Sequence, residues 1–496
     1  MLKGQRISVK YSKSMRSIFK AMLVCSLGIL IGRALLFTLS LPDKYAMTIT
    51  LCLIAAPLLF LARDKEKLLI GVYLLSLPIS MGFKIMEREE STNATVKFLF
   101  QLYLSDILLI SLVFICFFRT FLNRYSSGNS TQQNKLIIPI LLWIGMGFLS
   151  LIPAIDQTAT FIGIIQMLRI FLTFFCFLHF VNEQKKIHFI LNCLLLTLFL
   201  QALLMFAQYA TNSSVLSFSG ATMGLDITDE GMRPCGTMTH SSHFAKFSGL
   251  ILPICLAYIF FASRFRTKIF MMLIWVCGST ALVLTLSRVG LATWLLSMII
   301  FFSGVIILRI VPARKIIPLF IVCVLWISIS AGLLYAVGGQ RLKSRVAYDA
   351  GSAAARIPMW KVAFNVIKTH PVTGVGLKNY TIVHQDYDHT PEHVSVLLPD
   401  EPVHNLFLLY AAEIGVAGLL FFLWFIWELL KGSLRCASHL NTPVDKAVCL
   451  GMAIGVLNLF LQSTTGKGVT DHLIHLSVIV IFAACVAKQC STLDKY

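Results

Sequence analysis

Acidic residues are scarce in this chain: 23 Asp and Glu among 496 residues, fewer than the 37 Phe. Charged residues of both signs make up 13%, where soluble domains carry about 25%. So few charges cannot cover a water-exposed surface, which excludes a soluble protein of any fold. Cys-x-x-Cys pairs are missing, and no His/Cys pairing has zinc spacing, so neither a disulfide framework nor a structural metal is indicated. There is no phosphate-binding glycine loop and no dinucleotide fingerprint. Internal repeats of the kind that build inverted-repeat transporters are absent, as are low-complexity tracts.

What the chain has instead is apolar sequence. Hydrophobic residues make up 57% and come in blocks long enough to cross a ~30 Å hydrocarbon core as helices. The candidate spans are 18–40, 46–62, 68–84, 98–118, 136–153, 159–182, 188–209, 244–262, 269–286, 289–308, 316–337, 404–430, 447–463 and 472–489. The expected fold is an all-α polytopic membrane protein, one membrane domain over 1–496 with 12–14 transmembrane helices. The apolar stretch after the basic N-terminus reads as an uncleaved first span, since no small-residue cleavage site follows and Arg33 interrupts it.

The net charge of +19 is topogenic rather than a nucleic-acid footprint. Lys3 to Lys20, Arg63/Lys65/Lys67, Arg264/Arg266/Lys268 and Arg309/Arg314/Lys315 all fall on one side of the spans. That bias puts both termini in the cytoplasm. Two loops on the opposite, outer side are long: 210–243 and 338–403. The second is too long for a mere connection. Within it, 358–368 predicts an amphipathic helix, with Pro358 at a first helical position and Trp360, Phe364 and Ile367 at helical spacing. It ends at His370-Pro371, ahead of a glycine turn at Gly374 and Gly376. From Tyr380 to Pro402 the loop is polar and expected to be irregular. His384, Asp386, Asp388, His389, Glu392 and His393 lie there without a strong metal spacing and read as a solvated segment.

Polar residues near a membrane are costly and mark function. Arg288, between two apolar runs, is either a snorkelling side chain or a fixed cation facing an anionic substrate. Arginine suits phosphate because its planar fork donates two charge-assisted bonds. Arg233 and Arg356 are two further arginines on the outer side, and three together are enough to clamp a pyrophosphate. His404 opens the twelfth span, where the positive end of the helix dipole disfavours a second proton and leaves a neutral imidazole able to act as a base. On one continuous helix Gly415 and Gly418 return to the face of His404. Such a step either admits a neighbouring helix or leaves a groove for a lipid chain. Arg33, Asp106, Arg169 and Glu413 are expected to form internal ion pairs, with partners unassigned.

His404-Asn405, nine residues, then Gly415-x-x-Gly418 resembles the H[N/S/Q]-x9-G-x-x-G signature of bacterial O-antigen ligases. The stretch RIPMWKVAFNVIKTHPVTGVGLKNY (356–380) is similar to the R…W…hP…GvG…N pattern in that family's large periplasmic loop, and Arg233-Pro-x-Gly and Ser287-Arg288-x-Gly also resemble family positions. The resemblance covers about 230–425. It implies a GT-C-type glycosyltransferase of the bacterial inner membrane, with about twelve spans and a large periplasmic loop containing short helices. The implied donor is an undecaprenyl-pyrophosphate-linked glycan and the implied acceptor a lipid A–core sugar hydroxyl. No cofactor, metal or nucleic acid is needed: His404 is the implied base, and Arg233, Arg288 and Arg356 the implied pyrophosphate ligands. Two alternatives stay open. One is a polysaccharide polymerase of the same superfamily; the other is a transporter of lipid-linked glycan.

Overall fold

A computed structural model describes residues 64–80, 82–87, 98–121, 131–213, 225–228, 231–310, 320–330, 356–399, 401–464 and 472–493, with isolated positions at 314, 317 and 332. The expected spans 18–40 and 46–62, and Arg33, lie outside the described residues. The chain divides into two compact units, 1–69 with 216–222, and 70–215 with 223–496. In the first, the Lys67 N–H donates to Asp64 Oδ1 at 3.1 Å, which caps the start of a helix. Nearly all other described residues belong to the second.

The elements follow in chain order as α1 (Lys65–Ser76), β1 (Gly82–Glu87), β2 (Phe98–Tyr103), α2 (Leu104–Phe121), α3 (Thr131–Leu149), α4 (Gln157–Phe180) and α5 (Gln184–Thr211). Next come β3 (Leu225–Thr228), β4 (Gly231–Pro234), α6 (Ser241–Phe261), α7 (Phe265–Leu284) and α8 (Arg288–Ile307), then α9 (Phe320–Ser330). The long loop holds α10 (Arg356–Thr369), α11 (Tyr380–Val383), a 3-10 turn (His384–Tyr387) and α12 (Val394–Leu397). The last helices are α13 (Leu406–His439), α14 (Pro443–Ser463) and α15 (His472–Leu493). Among the described residues eight helices, α4 to α8 and α13 to α15, are long and apolar enough to cross a membrane. The protein is an all-α polytopic membrane protein, with β1–β2 and β3–β4 as two short antiparallel ladders.

The expected span 68–84 is not one continuous helix. The segment 68–84 is α1, a turn at Leu77-Pro78 and strand β1. Twelve residues of helix rise about 18 Å, short of the hydrocarbon core, and Pro78 cannot extend the helix because it has no N–H to donate. The segment 98–118 likewise opens as β2 and turns helical at Leu104, where the Tyr103 N–H donates to Asp106 Oδ2 at 2.8 Å.

Helices α6, α14 and α15 form the centre and are the most deeply buried of the eight. They have no wide polar face, as befits a buried helix, and the few polar side chains they carry, such as Asn458 and Gln462, are buried. Peripheral helices instead expose large apolar side chains, among them Phe114, Phe117, Leu420 and Trp427, a surface that suits lipid rather than water. Helices α6 and α14 run antiparallel in close contact: a Cβ on Gly455 would stand 2.2 Å from the Leu250 carbonyl oxygen, so only glycine allows this approach. A polar bond crosses the same seam, from Gln462 Nε2 to the Ala245 carbonyl at 3.3 Å, and Asn458 Nδ2 bonds Ser297 Oγ of α8 at 2.7 Å.

These pairings fix which helix ends lie together. Gln462 near the end of α14 meets Ala245 near the start of α6. Gly290 near the start of α8 lies against Ala245 too, its added Cβ being 2.9 Å from the alanine Cβ. His475 of α15 bonds the His243 carbonyl at 3.1 Å, and the Phe407 and Phe460 rings join the start of α13 to the end of α14, centroids 5.8 Å apart. One end of the bundle therefore gathers the starts of α6, α8, α13 and α15. The opposite end joins the starts of α5 and α14 to the end of α6, where His188 sits 3.1 Å from Asp445 and 2.7 Å from the Tyr258 hydroxyl.

Candidate functional site

Helix α13 begins with a side-chain cap. Asn405 Oδ1 accepts the Phe407 and Leu408 N–H groups at 3.0 and 3.2 Å, satisfying two donors the helix cannot pair itself. The asparagine of the His-Asn pair is thus the cap, and His404 stands one residue before it, outside the helix. The histidine side chain is 13% exposed, with Nε2 3.6 Å from Glu401 Oε2. That is too long for a hydrogen bond yet close enough for the carboxylate to bias the ring's orientation.

Ten residues on, α13 breaks. Gly415 has φ 75° and ψ 169° inside an otherwise helical run, a conformation open to glycine alone. The break frees main-chain groups, and the long loop takes them up. The Val416 N–H, which an unbroken helix would give to Ala412, donates to the Pro371 carbonyl at 2.8 Å. The Ala412 and Glu413 carbonyls accept the Val375 and Gly376 N–H groups at 2.9 and 3.0 Å. An added Cβ on Gly415 would lie 2.0 Å from the Val372 carbonyl oxygen, and one on Gly374 2.3 Å from the Glu413 carbonyl carbon. The space over Gly415 is thus filled by the loop, neither by a helix nor by an open groove. Gly418 is buried against its own helix, where the added Cβ would meet the Ile414 side chain at 2.7 Å. Because the helix starts after His404 and breaks at Gly415, the expected common face of these residues does not exist.

A second latch holds the loop to α4. Asn379 is fully buried; its Oδ1 accepts the Asp156 N–H at 2.7 Å, and its Nδ2 donates to Thr160 Oγ1 at 2.8 Å and to the Asp156 carbonyl at 3.1 Å. Between the latches, Lys378 adopts φ 59°, and burial pushes its ammonium down to about 8 against the opposing pull of Glu413.

The loop is a packed unit. Helix α10 forms but starts at Arg356, so that Pro358 is its third residue rather than its first; it buries Met359, Val362, Ala363 and Val366, and Phe364 of the expected apolar face is exposed. These join Val375, Tyr380, Val383, Val394 and Val403 of the loop and Leu409 and Ala412 of α13 in one core. The segment from Tyr380 onward is accordingly not the irregular, solvated stretch expected from its polarity. Asp388 accepts the N–H and hydroxyl of both Thr390 and Ser395. Burial alone would raise the Asp388 carboxyl, but these four bonds outweigh it and hold it down to about 2. Among the described residues no three His, Cys, Asp or Glu side chains are grouped to hold a metal ion.

The three arginines occupy separate elements at the end of the bundle that carries His404. Arg288 is exposed at the first position of α8, behind the cap in which Ser287 Oγ accepts the Gly290 N–H at 3.2 Å. Arg233 is half-buried on β4, opposite Asp226, in the segment that leads to α6 by way of a turn pinned to Gln201 and Gln208 of α5. Arg356 is half-buried at the start of α10. The internal acids and bases find partners as well: Arg169 Nε lies 2.6 Å from Asp106 Oδ1, and Arg169 Nη2 donates to Ser105 at 3.0 Å. The Glu413 carboxyl lies beside the Lys378 and Tyr380 N–H groups, with its Oε2 buried and not hydrogen-bonded. Glu401, Asn379 and Glu413 are the polar residues at this site whose contacts sequence alone did not assign. Asn379 carried a signal, as the asparagine closing the glycine-turn pattern.

A comparison with curated proteins finds no match. A family model described as O-antigen ligase matches residues 272–423, the stretch that contains Arg288, Arg356, the loop, His404, Gly415 and Gly418. Over that stretch the chain is similar to the O-antigen ligase family.

Proposed function

We propose that this protein transfers a glycan from undecaprenyl pyrophosphate to a sugar hydroxyl of lipid A–core, at the periplasmic face of the bacterial inner membrane. The family consists of glycosyltransferase-like enzymes of ligase and polymerase type; the donor, acceptor and membrane are our reading. The observation that carries it is the placement of His404 at the capped start of α13, at the end of the bundle that also bears Arg233, Arg288 and Arg356.

The chemistry follows from those groups. The acceptor oxygen attacks the anomeric carbon, His404 takes the hydroxyl proton, and the bond from that carbon to the pyrophosphate oxygen breaks. Undecaprenyl pyrophosphate leaves with the bonding pair. Arginines at the leaving group stabilise the charge that develops there, each charge-assisted bond contributing roughly 1.5–3 kcal/mol. A donor already activated by pyrophosphate needs no nucleotide.

The test is transfer by His404→Ala in membranes with equal protein level. General-base catalysis is worth ~10²–10⁴-fold, so at most a few per cent of activity should remain, and transfer by the unaltered protein should persist in a chelator. In a null strain, long glycan stranded on its lipid carrier with unsubstituted core supports the ligase, and core capped by a single repeat supports a polymerase. Near-normal transfer by His404→Ala sinks the assignment of the base.

A further inference from the structure

The broken helix leaves one side chain unexplained. Glu413 lies within a candidate membrane span and is 3% exposed, where a carboxyl is costly unless it is bonded. Its partners come neither from its own helix nor from a neighbouring span. The groups that face it are the main-chain N–H groups of Lys378 and Tyr380 and the Lys378 ammonium, and its Oε2 is left without a hydrogen bond. The same residue's carbonyl holds the Gly376 N–H at 3.0 Å. Glu413 therefore meets the turn 376–380 twice: its main-chain carbonyl bonds the Gly376 N–H, and its buried side chain lies against the turn.

That turn is where the loop must be held if its helix is to stay in place. Helix α10 carries Arg356, and it shares one core with Leu409 and Ala412, in the first two turns of α13 behind His404. Chain leaves α10 at Thr369, crosses the break at Gly415, and reverses through left-handed Lys378 into α11. Releasing residues 376–380 frees one side of that core and lets α10 move relative to the start of α13.

We propose that Glu413 is a positioning residue: it fixes the Arg356-bearing loop to the His404-bearing helix and so sets the distance between the leaving-group site and the base. This rests on the functional reading above. A misplacement of about 1 Å can cost ~100-fold in rate, so the loss should fall on turnover more than on donor binding, which Arg233 and Arg288 still support.

The experiment uses the full chain in lipid nanodiscs with two readouts on Glu413→Leu and Glu413→Gln. Hydrogen exchange of the 374–380 amides reports docking, with the α6 and α14 amides as reference. Transfer from a lipid-pyrophosphate-linked glycan to lipid A–core reports kcat and KM. In Glu413→Leu those amides should exchange about tenfold faster or more, and kcat should fall about tenfold or more with donor KM within about threefold. Glutamine keeps a carbonyl acceptor, so Glu413→Gln should recover most of the protection and turnover that leucine loses. Unchanged exchange at 374–380 in Glu413→Leu overturns the proposal, as does a glutamine variant no better than leucine. If exchange and turnover respond as expected while His404→Ala still transfers glycan, the anchor stands and the assignment of the base falls.

Discussion

At the scale of single residues, the site depends on positions where one side chain alone fits. Gly415 is the clearest. Its φ of 75° and the Val372 carbonyl oxygen 2.0 Å from an added Cβ leave no room for alanine. Gly415→Ala should undock the loop and destabilise the protein by about 3 kcal/mol or more, read as faster exchange at 372–380 and a lower melting temperature in detergent. Gly418→Ala, which meets only the movable Ile414 side chain, should cost clearly less. Equal effects would mean that the break does not hold the loop. Sequence showed that these glycines matter but not how, because helical arithmetic assumes an unbroken helix. The role of Asn405 was open to the same reading that placed His404 at a helix start, since asparagine ranks among the best caps.

At the scale of elements, the loop from 356 to 403 shows what a polar sequence conceals. Helix α10 was legible as a helix, because helical spacing depends on local geometry, but its start and its buried face, which packing decides, were not. The remainder was not, because its polar groups satisfy one another rather than water. Asp388 is the centre of that network, and its carboxyl is held below the ordinary carboxylate range. A lowered carboxylate pKa stabilises the fold above the unfolded value near 3.9 and loses that contribution as pH falls through the folded one. The loop should therefore hold its structure at neutral pH and loosen progressively between about pH 4 and pH 2. Pepsin cleavage across that window measures it: wild type should resist near pH 4 and yield near pH 2, while Asp388→Asn should already be cut at pH 4. A variant as resistant as wild type at pH 4 would remove Asp388 from the loop's support.

At the scale of the whole molecule, hydropathy found the bundle because a helix in lipid must satisfy its own main chain, and every described helix that qualifies as a span overlaps an expected one. It read 68–84 as one helix, where the apolar run is a short helix, a turn and the start of a strand. The two ends of the bundle differ in chemistry. The end bearing α6, α8 and α13 starts carries His404 and the docked loop; the end joining α4 to α5, α6 to α7 and α13 to α14 carries Lys185, Lys186, Arg264, Arg266, Lys268, Arg435 and Lys446. Basic residues within short loops of this kind stay on the cytoplasmic side during insertion. The helix pairings put both ends in a fixed relation, so the orientation of one loop determines that of the rest. A reporter active only in the periplasm should give signal when fused after Lys378 and none when fused after Arg264, and a cytoplasmic reporter should give the reverse. The same signal at both fusions would contradict the helix pairings. Signals opposite to those expected would put His404 and the arginines in the cytoplasm, away from any periplasmic acceptor, and the proposed transfer would have to be abandoned.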